Sequence, residues 1–448
     1  MICPLDFRYG RDKIKKIFDE ESRLAYWLRV ESALAKAHSH FGNIPKDSAE
    51  EIERKANLEY VKIERVKEIE KEIKHDVMAM VKALAEQCKN GKYVHLGATS
   101  YDIVDTANAL QIKDALSIIE GELIKLLKNL ANLSKKYRDA IMVGRTHAQH
   151  ALPITFGLKM SVYASEVKRH LERMKKIKEE ISVGKMAGAV GTGAAFGEKF
   201  FEIQDYVMKQ LGLKVEIPAT QIVGRDRYIE LFSFLSNLSV SLEKFATEIR
   251  NLQRNEIAEV EEFFEEKQVG SSTMPHKRNP ITCEQICGLA RMIRSNLLPA
   301  WENAIQWHER DLCNSSSERF IIPHSLILTD WILFKMNQVF ENLKVDTKKM
   351  AENIELNNGL IFTEAIMMKL VEKGMSRQSA HEIMRQCAME AKEKKKHLKE
   401  ILMERKEISY KIEDIESLFN AENYIGRAKE IVDLTLKNLR KDFPEIGV

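Results

Sequence analysis

The spacing of apolar residues between Tyr228 and Leu252 constrains this chain more than any other feature. Tyr228, Leu231, Leu235, Leu238, Leu242, Phe245, Ile249 and Leu252 lie alternately three and four positions apart. That 3.5-residue period belongs to a helix that packs one stripe against other helices. The pattern predicts a helix over about 225–264, which at 1.5 Å per residue is about 60 Å long. Such a helix outgrows a small domain and needs long neighbours, which are expected from other subunits.

The scarcity of helix breakers points the same way. The 448 residues include 20 Gly and 9 Pro, about half the share usual in globular chains, and no proline lies between Pro45 and Pro153. Apolar residues recur at helical spacing over about 13–41, 61–88 and 100–137, with the turn GNIPKDS between the first two. Ser100 suits an N-cap, with Asp102 and Asp105 near the positive end of its helix. GRTHAQHALP (144–153) breaks the pattern, and Pro153 is expected in the first turn of a helix reaching about 181. A helix following Pro280 should kink at Pro299. Beyond about 358 the helical segments shorten. The expected class is all-α, with an N-terminal helical domain over 1–98, a central long-helix bundle over 99–357 and a C-terminal helical domain over 358–448.

Composition narrows the function classes. Lys and Arg (70) nearly balance Asp and Glu (67), for a net charge of +3, so nothing draws the chain to nucleic acid or an anionic membrane, while a small anionic ligand stays open. The 31% charged content, rich in Lys and Glu, fits adaptation to heat. Six cysteines without a Cys-x-x-Cys pair argue against a zinc site or a disulfide framework. No run of 18 apolar residues occurs, and MICPLDFRYGRDK carries charge where a signal peptide needs its apolar stretch. A reducing cytoplasm is the expected compartment. The basic run Lys392, Lys394, Lys395 and Lys396 reads as a solvated helix face. The glycine-rich VGKMAGAVGTGAAFG (183–197) has neither a preceding strand nor a closing Gly-Lys-Ser/Thr, so it reads as close backbone packing or a substrate loop rather than a phosphate loop.

Polar residues that packing does not require collect at three breaks: HLGATS (95–100), GRTHAQH (144–150) and GSSTMPHKRNP (270–280). Function in helical enzymes concentrates at such breaks. The third combines hydroxyls, two cations and backbone donors ahead of a helix, which suits an anion. A serine there acts as a base only if its alkoxide is stabilised, and Lys277 with the helix N-terminus can supply that. WHERDLCNSSSERF (307–320) adds Arg310, Ser315 and Arg319. Arginine clamps carboxylate or phosphate bidentately, although surface pairing with Glu309 or Glu318 explains those arginines equally well. Together these elements point to a polyanionic small molecule.

The same residues carry a resemblance. GSSTMPHKRNP resembles the loop shared by the fumarase/aspartase superfamily of β-eliminating lyases, and its HKRNP ending resembles the branch that cleaves adenylosuccinate. The likeness continues through FRYG, KHDVMAM (74–80), VHLGATSYDIVDTA (94–107), GRTHAQHALPITFG (144–157), PATQIVGRDR (218–227), EIRNLQRNEIAEVEEFF (248–264) and WHERDLCNSSSERF. It implies three all-α domains, the central one completed by tetramerisation, with each active site shared between subunits of a homotetramer. It implies no metal and no organic cofactor, purine nucleotides as the small-molecule partners, and no nucleic acid or membrane partner. The implied reaction eliminates fumarate from adenylosuccinate, giving AMP, and from succinylaminoimidazole carboxamide ribotide.

By the same resemblance Ser271 takes the proton beside the succinyl carboxylate, Lys277 and Asn279 stabilise the carbanion, and His147, oriented by Glu284, protonates the departing nitrogen. His147 is preferred to His150 because it directly follows Arg145-Thr146. Arg8, Tyr9, His75, Asp76, His95, Thr99, Ser100, Gln221, Ser272, Arg310, Ser315 and Arg319 match substrate contacts. Gln285 and Cys283 depart from the pattern, since some members carry an arginine at the first position and a smaller hydroxyl residue fits the second. The carboxymuconate cycloisomerases share the SSTMPHKRNP and QHALP features, so those two alone do not separate the branches; the KHD and TSYD stretches and the Arg310, Ser315, Arg319 set favour adenylosuccinate. A catalytically silent helical assembly is the alternative from a different class.

Overall fold

A computed structural model describes residues 2–264, 270, 273–405, 408 and 414–447. Helices dominate it, as expected. The chain opens with α1 (Pro4–Phe7), α2 (Asp12–Phe18) and α3 (Glu20–His40). The single helix expected over 13–41 is divided at Asp19, which turns extended (ψ 164°) and caps α3 through its carboxylate, accepting from the Ser22 amide at 2.6 Å. Next come α4 (Lys46–Lys55), α5 (Ile63–Ile73) and α6 (Asp76–Gln87). The expected 61–88 helix breaks where Lys74 adopts a left-handed conformation (φ 57°) and His75 caps α6.

Helix α7 runs unbroken over Ser100–Lys136, close to expectation. GRTHAQHALP forms a hairpin ahead of the expected helix, which ends at Ile181 as expected but starts three residues after Pro153. Strands β1 (Ile141–Thr146) and β2 (Gln149–Thr155) form an antiparallel hairpin, with Pro153 opposite Val143 and α8 (Phe156–Ile181) starting only after it. Proline is tolerated there because a two-stranded ribbon leaves one edge of each strand without a ladder partner, and Thr155 Oγ1 accepts from the Leu158 amide at the start of α8. Strand β3 (Val183–Gly184) heads the glycine-rich stretch, correcting the expectation of no strand there, and pairs in parallel with β4 (Lys214–Val215) across α9 (Phe200–Leu211).

Helix α10 covers Asp226–Leu252, 27 residues or about 40 Å, and stops short of the expected 264. The Ile257 and Ala258 amides both donate to the Arg254 carbonyl, Ala258 is left-handed (φ 50°), and β5 (Val260–Glu261) follows. The turn carries Glu259 into a buried position where Arg145 and Asn353 meet it. A second correction concerns the seam. Tyr228 is 4% exposed and the other seam residues 2% or less, so this chain buries the stripe with its own residues and needs no second subunit for that purpose.

The remaining helices are α11 (Ile281–Ser295), α12 (Leu297–Asn303) and α13 (Cys313–Glu341), then β6 (Lys344–Val345), α14 (Thr347–Glu355), α15 (Thr363–Glu372), α16 (Arg377–Lys394), α17 (Leu398–Glu404) and α18 (Ala428–Asp442). The break associated with Pro299 falls at Asn296, because the proline ring crowds the carbonyl four residues earlier, that of Ser295. Strand β5 pairs antiparallel with β6.

The chain divides into two compact units, 1–123 with 170–243 and 286–335, and 124–169 with 244–285 and 336–448. The first is built on a core that includes Trp27, Leu34, Met80, Leu84, Ile103 and Met208. The second includes a core of Phe362, Ile366, Leu370, Met384, Ile401 and Val143. Each fully buried large apolar side chain contributes about 1.5–3 kcal/mol. No helix among the described residues is long and apolar enough to cross a membrane.

Candidate active site

Most of the expected substrate contacts lie in the first unit, and hydrogen bonds join them in small groups. His75 caps α6 and approaches the Ser100 hydroxyl at 3.5 Å, while its neighbour Asp76 accepts from Arg319 at 2.7 Å. Arg310 donates through Nη1 to the Gln221 side chain at 2.9 Å, and the Gln221 amide donates to the Glu309 carbonyl. The Arg310 guanidinium lies 3.4 Å from the centre of the Tyr101 ring, a stacking that favours a partly desolvated cation. Its Nε and Nη2 are buried without a hydrogen-bond partner. These two atoms form one edge of the guanidinium fork, the edge that binds a carboxylate in two-pronged fashion.

Thr99 is held by Asp102, which the sequence assigned only to the helix dipole. Asp102 is fully buried and accepts from the Thr99 amide at 2.8 Å, from the Ala187 and Gly188 amides, and from Lys185, which is also fully buried. The glycine-rich stretch is therefore packed against the start of α7, in keeping with close backbone packing. His95 is left-handed (φ 62°) and shares a 2.6 Å hydrogen bond with Glu31, itself 1% exposed. Burial alone lowers the His95 imidazole, but the Glu31 carboxylate outweighs it and holds the value above the ordinary one. Glu31 carried no local signal, since it sits 64 positions from His95 in an ordinary helical pattern. Arg8 and Tyr9 follow α1, where their amides donate to the Pro4 carbonyl.

The second unit holds the candidate acid and the described part of the 270–280 loop. His147 and Ala148 are the two-residue turn between β1 and β2, with φ of 51° and 60°. Positive φ at both turn positions matches the twist of the strands but costs about 1–2 kcal/mol at each non-glycine residue. This strain holds an exposed imidazole at the hairpin tip. Gly144 sits at the irregularity of the ladder, where a Cβ would lie 2.7 Å from the Leu152 carbonyl oxygen. Below the tip, Arg145 donates to both oxygens of Glu259 at 2.9 and 2.7 Å. Burial, and then the Arg145 charge, pull the His150 imidazole below its ordinary value.

Ser271 and Ser272 lie outside the described residues. Around them, Asn279 donates to the Gly270 carbonyl at 2.9 Å and the Lys277 amide to the Met274 carbonyl. Arg278 donates to Glu261 at 2.8 Å and ties the loop to β5. Glu262, 4% exposed, caps α11 by accepting from the Thr282 and Cys283 amides, each at 2.9 Å. Lys277, Asn279 and Glu284 line a cleft of about 1300 Å³ together with Arg250, Arg254 and Lys348. His147 is not among its lining residues, and no hydrogen bond joins it to Glu284 among the described residues.

The helical architecture has counterparts. A family model described as Lyase matches residues 6–295. A fumarate lyase structure from Mesorhizobium sp. BNC1 superposes with a TM-score of 0.88 at 32% identity, over 96% of this chain and 98% of that one. A 3-carboxy-cis,cis-muconate lactonizing enzyme from Pseudomonas putida gives 0.89 at 30% identity, over 98% and 99%. Fold and site thus define a lyase of the fumarase/aspartase superfamily. A second family model, described as Adenylosuccinate lyase C-terminus, matches residues 359–435. Proteins named adenylosuccinate lyase from Pyrococcus abyssi and Methanocaldococcus jannaschii are 52% and 49% identical over 96% and 98% of this chain, and 96% of each of theirs. The chain belongs to the adenylosuccinate lyase family.

Proposed function

We propose that this protein catalyses the reversible elimination of fumarate from adenylosuccinate, leaving AMP, and the parallel cleavage of succinylaminoimidazole carboxamide ribotide in purine nucleotide synthesis. The observation that carries the reading is Arg310, whose unpaired Nε and Nη2 edge is buried beside Gln221 and Tyr101. A buried, permanently charged fork without an anion is built for a carboxylate or phosphate, and the substrate offers two carboxylates and a phosphate. Arg8, Tyr9, His75, Asp76, His95, Thr99, Ser100, Gln221, Ser272, Ser315 and Arg319 complete the substrate contacts.

In the proposed chemistry Ser271, as alkoxide, removes a proton from the carbon next to the succinyl carboxylate. The electron pair left behind spreads into that carboxylate, where Lys277 and Asn279 stabilise it. It then forms the carbon–carbon double bond of fumarate as the carbon–nitrogen bond breaks, and His147 delivers a proton to the departing nitrogen. Glu284 orients His147 across a subunit boundary. The absence of a hydrogen bond between them in one chain supports that arrangement, as do the exposed apolar residues Val240, Met292, Leu298, Trp301 and Phe320, which suit burial in a homotetramer. The start of the C-terminal family match at 359 supports a domain boundary near 358. Free thiols at Cys3, Cys88, Cys283, Cys287, Cys313 and Cys387 suit a reducing cytoplasm.

The test supplies adenylosuccinate to purified protein and follows fumarate and AMP. Stoichiometric release of both is expected, and Ser271→Ala should abolish turnover while substrate binding stays measurable. Folded wild-type protein that releases neither product overturns the reading. Turnover of a carboxymuconate instead would move the protein to the cycloisomerase branch.

A further inference from the structure

Arg225 lies between three segments that each carry a proposed substrate contact, and it is 4% exposed. All five N–H donors of a guanidinium are used. Nη1 and Nη2 donate to Asp105 at 2.8 and 2.9 Å, Nε and Nη2 to Glu318 at 2.7 and 3.0 Å, and Nη1 also to the Val223 carbonyl at 2.9 Å. Asp105 in turn accepts from the Val223 amide at 2.8 Å. Asp105 stands one and a half turns into α7, whose first residue is Ser100; Glu318 follows Ser315 by three positions and directly precedes Arg319 on α13; Val223 lies two positions from Gln221.

We propose that Arg225 is a positioning residue for the elimination reaction: it sets the spacing between the Thr99-Ser100, Gln221 and Ser315-Arg319 contacts without touching substrate. The cluster holds two carboxylates and one cation inside the protein, an arrangement that pure packing does not require. Replacing buried ion networks by apolar residues is often neutral or stabilising, so a cluster serving stability alone gains little from its charges. Its geometry, by contrast, is directional. Each planar fork of hydrogen bonds fixes both distance and angle between α7 and α13. Lysine carries the same charge but cannot make two forked pairs at once.

The inference rests on the function proposed above, and the experiment separates the two. Arg225→Lys and Glu318→Gln are assayed with adenylosuccinate beside the wild type, with KM and kcat determined separately and melting followed in parallel. For Arg225→Lys, KM rises by at least about tenfold, as expected when binding groups shift by a fraction of an ångström to an ångström. Glu318→Gln, which keeps the Arg225–Asp105 fork, shows a smaller rise in the same direction. A purely structural role lowers the folded fraction and the melting temperature but leaves KM of the surviving enzyme unchanged, so KM within a factor of about two of wild type in Arg225→Lys overturns the proposal. Failure of both variants to fold overturns it as well, because the cluster would then be a folding determinant. Absence of wild-type turnover sinks the functional reading and this inference with it; normal wild-type turnover with unchanged KM in the variants sinks only the inference.

Discussion

Arg145 and Glu259, 114 positions apart in sequence, form a two-pronged ion pair directly beneath the hairpin turn that carries His147. Glu259 is fully buried and also accepts from Asn353 at 2.9 Å. A buried carboxylate needs such partners, and here the partner is two residues from the proposed acid. The ion pair therefore links stability of the second unit to the aim of the imidazole.

Glu259→Gln should lower the unfolding free energy by about 3 kcal/mol, the usual cost of removing one partner of a buried pair. It should also lower kcat by about 100-fold as the hairpin tip relaxes. Chemical denaturation and steady-state assays check the two effects separately. Loss of stability with unchanged kcat would mean that the hairpin aims His147 without help from Glu259.

Gly270→Ala should damage the catalytic loop while sparing the fold. A Cβ at this position would stand 2.1 Å from the Lys277 carbonyl oxygen, which is backbone and cannot swing away. The loop must open to admit the methyl group, displacing Lys277 and Asn279. We expect kcat to fall by roughly 100-fold, with stability changed by less than about 1 kcal/mol because residues 273–278 of the loop are exposed. Wild-type kcat in this variant would show that the loop's close approach has no catalytic role.

Arg310→Lys should weaken substrate binding by about 10- to 100-fold, the worth of a charge-assisted pair of hydrogen bonds. Lysine keeps the charge but loses the Nε and Nη2 edge and the face that stacks on Tyr101. Isothermal titration of the Ser271→Ala protein with adenylosuccinate measures the binding step alone. Equal affinity in the lysine variant would show that a point charge suffices there.

The His95–Glu31 pair should make stability depend on pH in a defined direction. Because the folded-state value of His95 is raised, its contribution is fully present below the ordinary imidazole value of about 6.5 and is lost as pH rises through the higher folded value. The melting-temperature difference between wild type and Glu31→Gln should accordingly be larger near about pH 6 than near about pH 9. A difference that grows toward alkaline pH would contradict the assigned pairing.

Reading the chain from its residues located the helices where a single period persists: α7 and the seam of α10 fall where expected, because apolar spacing is a local property that a helix must honour. It misjudged places where a distant partner decides. Ile141–Thr155 folds into a hairpin that delays the expected helix to Phe156, and α10 stops at Leu252, with Glu259 beyond it drawn to Arg145 and Asn353. The polar breaks stood out in the sequence as candidate sites, whereas the residues that support them in the fold did not. Glu31, Asp102 and Lys185, and Glu318 with Arg225 look like ordinary helix or loop charges until the fold brings them together.

The amino-acid sequence by itself determined the all-α class, the long seam and the positions of the polar breaks, because helix period, proline and glycine act within a few residues of themselves. Only the tertiary structure decided which carboxylates are buried and which cations meet them. The pairings of Glu31, Asp102, Asp105, Glu259 and Glu318 span 64 to 120 positions, and their energies depend on excluding water, which no local pattern encodes.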